Sequence, residues 1–290
     1  MLKNTPIPES SEQWSLIIKP HTRWWDLHLE DVWRYRDLLW LFVRRDFVSG
    51  YKQTILGPLW FFIQPLLTTI MFTIIFTGVA RIPTDGLPPM LFYLAGTTPW
   101  NYFAACLTST SNTFVANAGL FGKVYFPRLV VPLSIVLSNL IQFLVQFLLF
   151  LGFFAWYGLT GTGLRPNALL IIVLTPVLLA LMGLLGLGVG ITISAMTTKY
   201  RDLARLVTFG VQLMMYATPV IYPMSAIPER YRWLIQCNPM SAIIESFRAV
   251  FLGGTVPWSA LGLSTLITLL ILALGVVLFN KVEKTFMDTV

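Results

Sequence analysis

The sequence predicts an all-α integral membrane protein of six transmembrane helices. An amphipathic interfacial helix precedes them, and re-entrant helices lie between spans five and six. Three observations predict this. The 290 residues are 56% hydrophobic and only 11% charged, with mean hydropathy +0.72, too apolar for a soluble domain of this size. The charges leave long gaps at 52–81, 85–123, 128–165, 165–199, 205–229 and 248–281. Each gap exceeds the roughly 20 residues with which a helix crosses the hydrocarbon core. Third, the cations are lopsided under six crossings. Of the 20 lysines and arginines, only Arg81, Arg165, Arg230, Arg232 and Arg248 fall on one side. The positive-inside rule makes the other side, and with it both termini, cytoplasmic. This asymmetry accounts for the net charge of +7 without nucleic-acid binding.

Residues 1–24 are polar, carry Pro6, Pro8 and Pro20, and read as extended rather than as a cleaved signal peptide. Over 29–48, Val32, Tyr35, Leu39, Phe42 and Val43 recur at helical spacing, with Arg34, Asp37, Arg44 and Arg45 on other faces. Such a helix suits the headgroup layer better than the bilayer interior. Residues 1–52 are thus expected to form a cytoplasmic segment with an interfacial helix, and 53–290 the transmembrane domain.

Span one, 59–79, contains Gln64-Pro65, where a kink is expected. Span two, 91–115, is polar for lipid, with Thr97, Thr98, Asn101, Thr108, Ser109, Thr110, Ser111 and Asn112. These groups need partners or water, so the span should face other helices or a cavity. Residues 117–132, NAGLFGKVYFPRLVVP, form a short break that carries Lys123 and Arg128 and no acid. Phe121, Val124, Tyr125 and Phe126 can make an apolar knob on one or two helical turns, stopped by Pro127. Presented to the cytoplasm, that knob suits docking onto a soluble partner.

Span three, 130–157, contains Ser138, Asn139, Gln142 and Gln146. Span four, 168–196, contains Gly183, Gly186, Gly188 and Gly190; the Gly186–Gly190 spacing allows close backbone approach. Span five, 206–222, ends in ATPVIYP. Residues 223–254 are semi-apolar but broken by Pro228 and Pro239, which suggests two short helices dipping part-way into the membrane. This segment reads as an outer cap or as a gate over an exit, and Glu245 and Arg248, one turn apart, can pair. Span six, 261–280, leads into a short charged tail.

Several chemistries have no counterpart here. There is no G-x-x-x-x-G-K-[ST] phosphate loop, no HExxH and no GxSxG; His21 and His28 precede the spans. Cys106 and Cys237 are far apart, and no metal-ligand spacing occurs. No span carries the carboxylate or lysine of an ion-coupled carrier. Transport against a gradient would draw its energy from another polypeptide.

DLLWLFVRRDFVSGYKQTILGPLWFFIQPLLTTIMFTIIF, residues 37–76, resembles the opening of the ABC-2 type permeases that export cell-surface polysaccharides. GKVYFPR at 122–128 is similar to the family's coupling-helix loop, and TKYRD at 198–202 to its second cytoplasmic loop. ATPVIYP and NPMSAIIESFR are similar to its outer gate region, and the N-terminal WSLIIKPHTRWWDLHLEDVWRYRDLLW to the lipopolysaccharide O-antigen exporters. Ser49 departs from the basic residue frequent in relatives, so no phosphate contact is assigned to it.

The resemblance implies a homodimer in the bacterial inner membrane, served by two cytoplasmic ATP-binding subunits. ATP and magnesium would sit on those subunits, with no cofactor or metal on this chain. The substrate would be a lipid-linked polysaccharide threading between protomers. Phe121, Lys123, Val124, Tyr125, Phe126 and Arg128 would dock the ATPase. Arg44, Arg45 and Lys52 are candidates for a diphosphate head group, or serve as anchors to membrane lipid. Tyr93, Trp100, Asn101, Tyr102 and Phe103 could supply an aromatic and amide channel wall for sugar faces and hydroxyls. Tyr216, Pro219, Tyr222, Pro239, Glu245 and Arg248 are the candidate outer gate. Competing readings are a capsule or teichoic acid exporter, a stand-alone channel or carrier, and a membrane-embedded glycan-modifying enzyme. The enzyme would need acids or histidines clustered at one membrane face, which the short loops do not offer.

Overall fold

A computed structural model of the protein describes residues 29–285, apart from Gln53, Tyr125, Thr162, Gly163, Arg165 and Arg201. The described residues are helical, with no strand among them. The described residues open with α1 (Leu29–Arg34) and α2 (Arg36–Tyr51), followed by α3 (Trp60–Phe72), which continues into a π-helical stretch, Thr73–Val79. Then come α4 (Pro89–Thr110), the single turns α5 (Thr113–Ala116) and α6 (Ala118–Phe121), and the long α7 (Val130–Leu159) and α8 (Ala168–Thr197). The chain ends with α9 (Leu203–Tyr216), the short α10 (Glu229–Gln236) and α11 (Pro239–Leu252), and α12 (Trp258–Thr285).

Among the described residues, four helical segments are long and apolar enough to cross a membrane: Gly57–Val79, Val130–Leu159, Ala168–Thr197 and Trp258–Val282. Spans two and five of the sequence reading correspond to helices of another kind. α4 is 22 residues long but rich in threonine and small residues, and α9 is only 14 residues, with 217–222 completing its run as turn and bend.

α4 is the centre of the bundle. Leu91 to Trp100 are all buried, and α4 packs against α8, α7, α11 and α3. Several of its polar groups are answered inside the protein, as a helix shielded from both lipid and water requires, though the buried Thr98 hydroxyl has no partner among the described residues. The Thr97 hydroxyl donates to the Tyr93 carbonyl (2.9 Å), that of Thr110 to the Cys106 carbonyl (2.6 Å), and the Asn101 amide to Gln146 of α7 (3.2 Å).

The glycines of α8 let two backbones close on it from opposite sides. A Cβ on Gly186 would stand 2.7 Å from Cβ of Cys106, and one on Gly190 2.9 Å from the Leu107 carbonyl oxygen, both on α4. A Cβ on Gly188 would stand 2.9 Å from Cα of Leu272 on α12. The tight packing expected of the small-residue face is present, and it serves two neighbours.

The apolar stripe of α2 packs inward. Phe42 and Val43 are buried, with Val32, Tyr35 and Leu39 against the same cluster, while Trp33 and Trp40 are exposed. The expected interfacial helix is therefore seated on the bundle by that stripe. It turns a different face outward, whose tryptophans suit a membrane–water boundary.

α4 spans about 33 Å at the ordinary helical rise, so it separates two ends of the molecule. At one end gather α2, the 117–128 loop, the α8–α9 connection and the close of α12. Contacts between Phe42 and Phe126, Phe114 and Phe279, and Ser194 with the backbone N–H of Phe114 tie them together. At the other end lie 80–88, the α7–α8 connection and the 217–257 segment.

Candidate functional site

The 117–128 loop is one helical turn, α6, followed by a tight return to α7 at Val130. The sequence suggests a knob pointing away from the membrane; the structure divides it. Phe121 and Phe126 are buried in an aromatic cluster with Phe42 of α2, Phe114 of α5 and Phe279 of α12. Ring centroids are 5.8 Å apart for Phe42–Phe126 and for Phe121–Phe126, and 4.4 Å for the stacked Phe114–Phe279 pair. The two phenylalanines thus seat the loop, because an aromatic ring gains more from burial against other rings than from exposure. What the loop presents is Gly122, Lys123 and Val124, the last 53% exposed. Arg128 lies over the Phe121 ring at 5.4 Å, half-buried. Tyr125 lies outside the described residues.

The cations of α2 sit beside this loop. Arg44 and Lys52 are exposed, and Arg45 pairs with Asp46 at 2.8 Å while its guanidinium lies 4.7 Å from the Phe42 ring centroid. One end of the molecule therefore carries exposed Arg44, Arg45, Lys52, Lys123 and Lys199 over a buried aromatic floor. That surface is suited to anionic groups, lipid phosphates or an acidic partner.

Of the expected channel wall, Tyr93, Trp100, Tyr102 and Phe103 are buried inside the helix bundle. Tyr93 meets Thr77 across α4 and the π-helical stretch (3.0 Å), and Tyr102 packs on Phe143 of α7. Asn101 keeps partial exposure beside Gln146. These aromatics form the α4 seam because their neighbours on α7 and α8 supply complementary rings and glycine gaps, which the single-span pattern does not display.

At the far end the residues expected at a gate come together. Asn238 caps α11 by accepting from the Met240 N–H (3.0 Å) and donates to the Thr218 hydroxyl (2.8 Å). The Tyr222 hydroxyl donates to the Tyr216 carbonyl (2.8 Å), and the Ser264 hydroxyl to the Pro239 carbonyl (2.7 Å). Arg248, 8% exposed, is the hub. Its guanidinium donates to the carbonyls of Pro219 and Val220 and covers the Phe92 ring, 3.8 Å from the centroid.

The Glu245–Arg248 ion pair that the spacing allows does not form. The non-helical 217–222 chain leaves carbonyls without helical donors, and the guanidinium fork is spent on them. Burial raises the Glu245 carboxyl above the usual range, while the Arg248 charge pulls the other way. Phe92 and Asp85 carry no motif that marks them, while Asn238 opens the NPMSAIIESFR stretch without being singled out in it. Asp85 was visible only as an acid bounding a charge gap.

Comparison with known proteins bears on both ends. An O-antigen export system permease protein, RfbA, of Klebsiella pneumoniae is 31% identical over 252 residues, 87% of this chain and 94% of its own. A protein of that name from Myxococcus xanthus is 29% identical over 231 residues, 79% of this chain and 85% of its own. The profile of the ABC-2 type transporter family matches residues 37–252, from α2 to the end of α11. With the match running through the seated loop, the glycine-packed core and the Arg248 hub alike, the chain belongs to the ABC-2 type transporter family.

Proposed function

We propose that this chain is the membrane permease of an exporter that moves a lipid-linked O-antigen polysaccharide across the bacterial inner membrane. ATP hydrolysis on a separate subunit drives it. The observation that carries this reading is the nearly full-length similarity to relatives named O-antigen export permeases. The chain's own lack of a phosphate-binding loop fits a subunit that borrows its work.

In this reading α3 with its π-helical stretch, α4, α7, α8, α9 with 217–222, and α12 make six crossings, and α10 and α11 are re-entrant. Two copies assemble, and both termini face the cytoplasm with the 117–128 loop. The ATP-binding subunit docks on Lys123, Val124 and Tyr125, with Phe121, Phe126 and Arg128 holding the loop in shape. Arg44, Arg45 and Lys52 meet the substrate's anionic head group or the membrane lipid. Asn101 is offered to a sliding glycan, and the span-two aromatics back it as packing. The segment around Tyr216, Pro219, Tyr222, Pro239, Glu245 and Arg248 forms the outer closure.

The test is deletion of the gene in the source cell, with surface O-antigen read by immunoblot of lipopolysaccharide. Wild-type complementation should restore the O-antigen ladder. Val124→Asp together with Lys123→Glu should restore less than a tenth of it and lose co-purification of the ATPase subunit while still inserting. An unchanged ladder in the deletion strain overturns the reading.

A further inference from the structure

A pocket of about 310 Å³ opens at the end of the bundle away from the docking loop. It lies between the start of α4 and the chain that runs from Pro223 through α11 to Pro257. Its volume is at the lower bound of ordinary small-molecule sites, roughly 300–1,000 Å³. It is also far larger than the voids that close packing leaves in an interior.

The groups around it are of mixed kind. Asp85, Glu245, Arg248, Ser225 and Thr255 contribute polar groups, and Leu87, Phe92, Pro223 and Pro257 contribute apolar surface. Asp85 Oδ1 accepts from the Ser225 hydroxyl at 2.7 Å, which leaves its second oxygen for a ligand. The half-buried Glu245 carboxyl takes no hydrogen bond from any described residue. A half-buried carboxyl without donors is costly unless something else supplies them. At the rim Asp85 is held in the left-handed region at φ 52°, while Gly253 at 94° and Gly254 at 137° take conformations that favour glycine. Such geometry gathers where a structure must shape a site.

The lining discriminates among ligands. Two carboxyl groups disfavour an anion, and the fixed Arg248 charge disfavours a simple cation. Among the described residues no group of three or more His, Cys, Asp or Glu side chains is placed to hold a metal ion. A neutral polyol matches all parts of the wall. Sugar hydroxyls donate to carboxylates and accept from hydroxyl donors, and the C–H face of the ring rests on proline and leucine.

We propose that this pocket is a saccharide subsite, which holds a sugar unit of the exported glycan through hydrogen bonds from its hydroxyls to Asp85 and Glu245. The assignment rests on the exporter reading for the identity of the glycan and for which membrane face the pocket meets. Its role there is to hold the emerging chain against backsliding while the other end of the molecule resets.

The experiment uses the purified full-length protein in lipid nanodiscs. The probe is O-polysaccharide fragments released by mild acid from the source cell's own lipopolysaccharide, and binding is read by equilibrium dialysis. The wild type is expected to bind. Asp85→Asn with Glu245→Gln is expected to weaken binding at least ten-fold. So is Ala249→Phe, which fills the pocket without altering charge. Retained melting temperature and ATPase co-purification separate these losses from misfolding, and a variant that fails either check is replaced by Ser225→Ala, which removes a single hydroxyl. Absent wild-type binding, or equal binding by the folded variants, overturns the subsite. The two readings fail separately. Pocket-dependent binding in a protein whose deletion leaves surface O-antigen intact would overturn the exporter and keep the subsite. Normal binding and export by the pocket variants would overturn the subsite and keep the exporter.

Discussion

At the scale of single residues, Arg248 and Phe126 make opposite use of a side chain whose type looked legible. Arg248, placed one turn from Glu245 and able to pair with it, instead secures two carbonyls and a ring, joining α4, α11 and the 217–222 chain. Arg248→Met leaves both acceptors buried and unpaired, at about 1–3 kcal/mol each. The expected outcome is a melting temperature several degrees lower in detergent. Arg248→Lys should rescue little, because an ammonium cannot span two carbonyls and lie flat on Phe92 as the planar fork does. Equal melting of Arg248→Lys and wild type would show that charge alone suffices. Phe126, 4% exposed, belongs to the floor of the loop. Phe126→Asp should reduce the amount of folded protein, whereas Val124→Asp should leave it intact and affect partner binding alone. The comparison of membrane yield with co-purification checks both. Composition announced that the loop was apolar. It did not announce which rings turn inward, because that depends on Phe42 and Phe279, which are distant in sequence.

Among the helices, the readings that rested on local chemistry carried through to the structure. The polarity of span two implied a shielded helix, and α4 is buried along its first half, with the Thr97 and Thr110 hydroxyls bonded to its own carbonyls. The glycines of span four implied close approach, and α8 meets α4 and α12 through them. What local chemistry could not supply was the partner of each face. Gly186 and Gly190 point to α4 but Gly188 to α12, a division that no spacing in α8 reveals. Gly190→Val should therefore destabilise by about 1–3 kcal/mol or more by overpacking, read as a lower melting temperature in detergent. Gly262→Val, at a position with open space around it, is the control and should melt as wild type. Helix length was also partly hidden. α9 stops at Tyr216 because ATPVIYP brings two prolines within seven residues, and the chain there gives its carbonyls to Arg248.

Taken whole, the molecule is polarised between a basic end and a pocketed end. Cysteine accessibility reads that polarity directly. Cys237 is exposed at the pocketed end and Cys106 is buried in α4. A membrane-impermeant maleimide should label native Cys237 in intact spheroplasts and leave Cys106 unmodified. Val124→Cys in a Cys237→Ser background should label only after permeabilisation. Reversal of the two results would invert the orientation. The phenylalanine floor has a mechanical consequence for this polarity. Phe42 bears the Arg45 guanidinium on one side and meets Phe126 on another, while Phe279 closes the stack from the last helix. A thrust against Val124 cannot be absorbed by the loop alone. In the proposed exporter, a push by the ATP-binding subunit there would carry through these rings to the cationic rim and the foot of α12 together, gearing engine contact and cargo entry to one shaft.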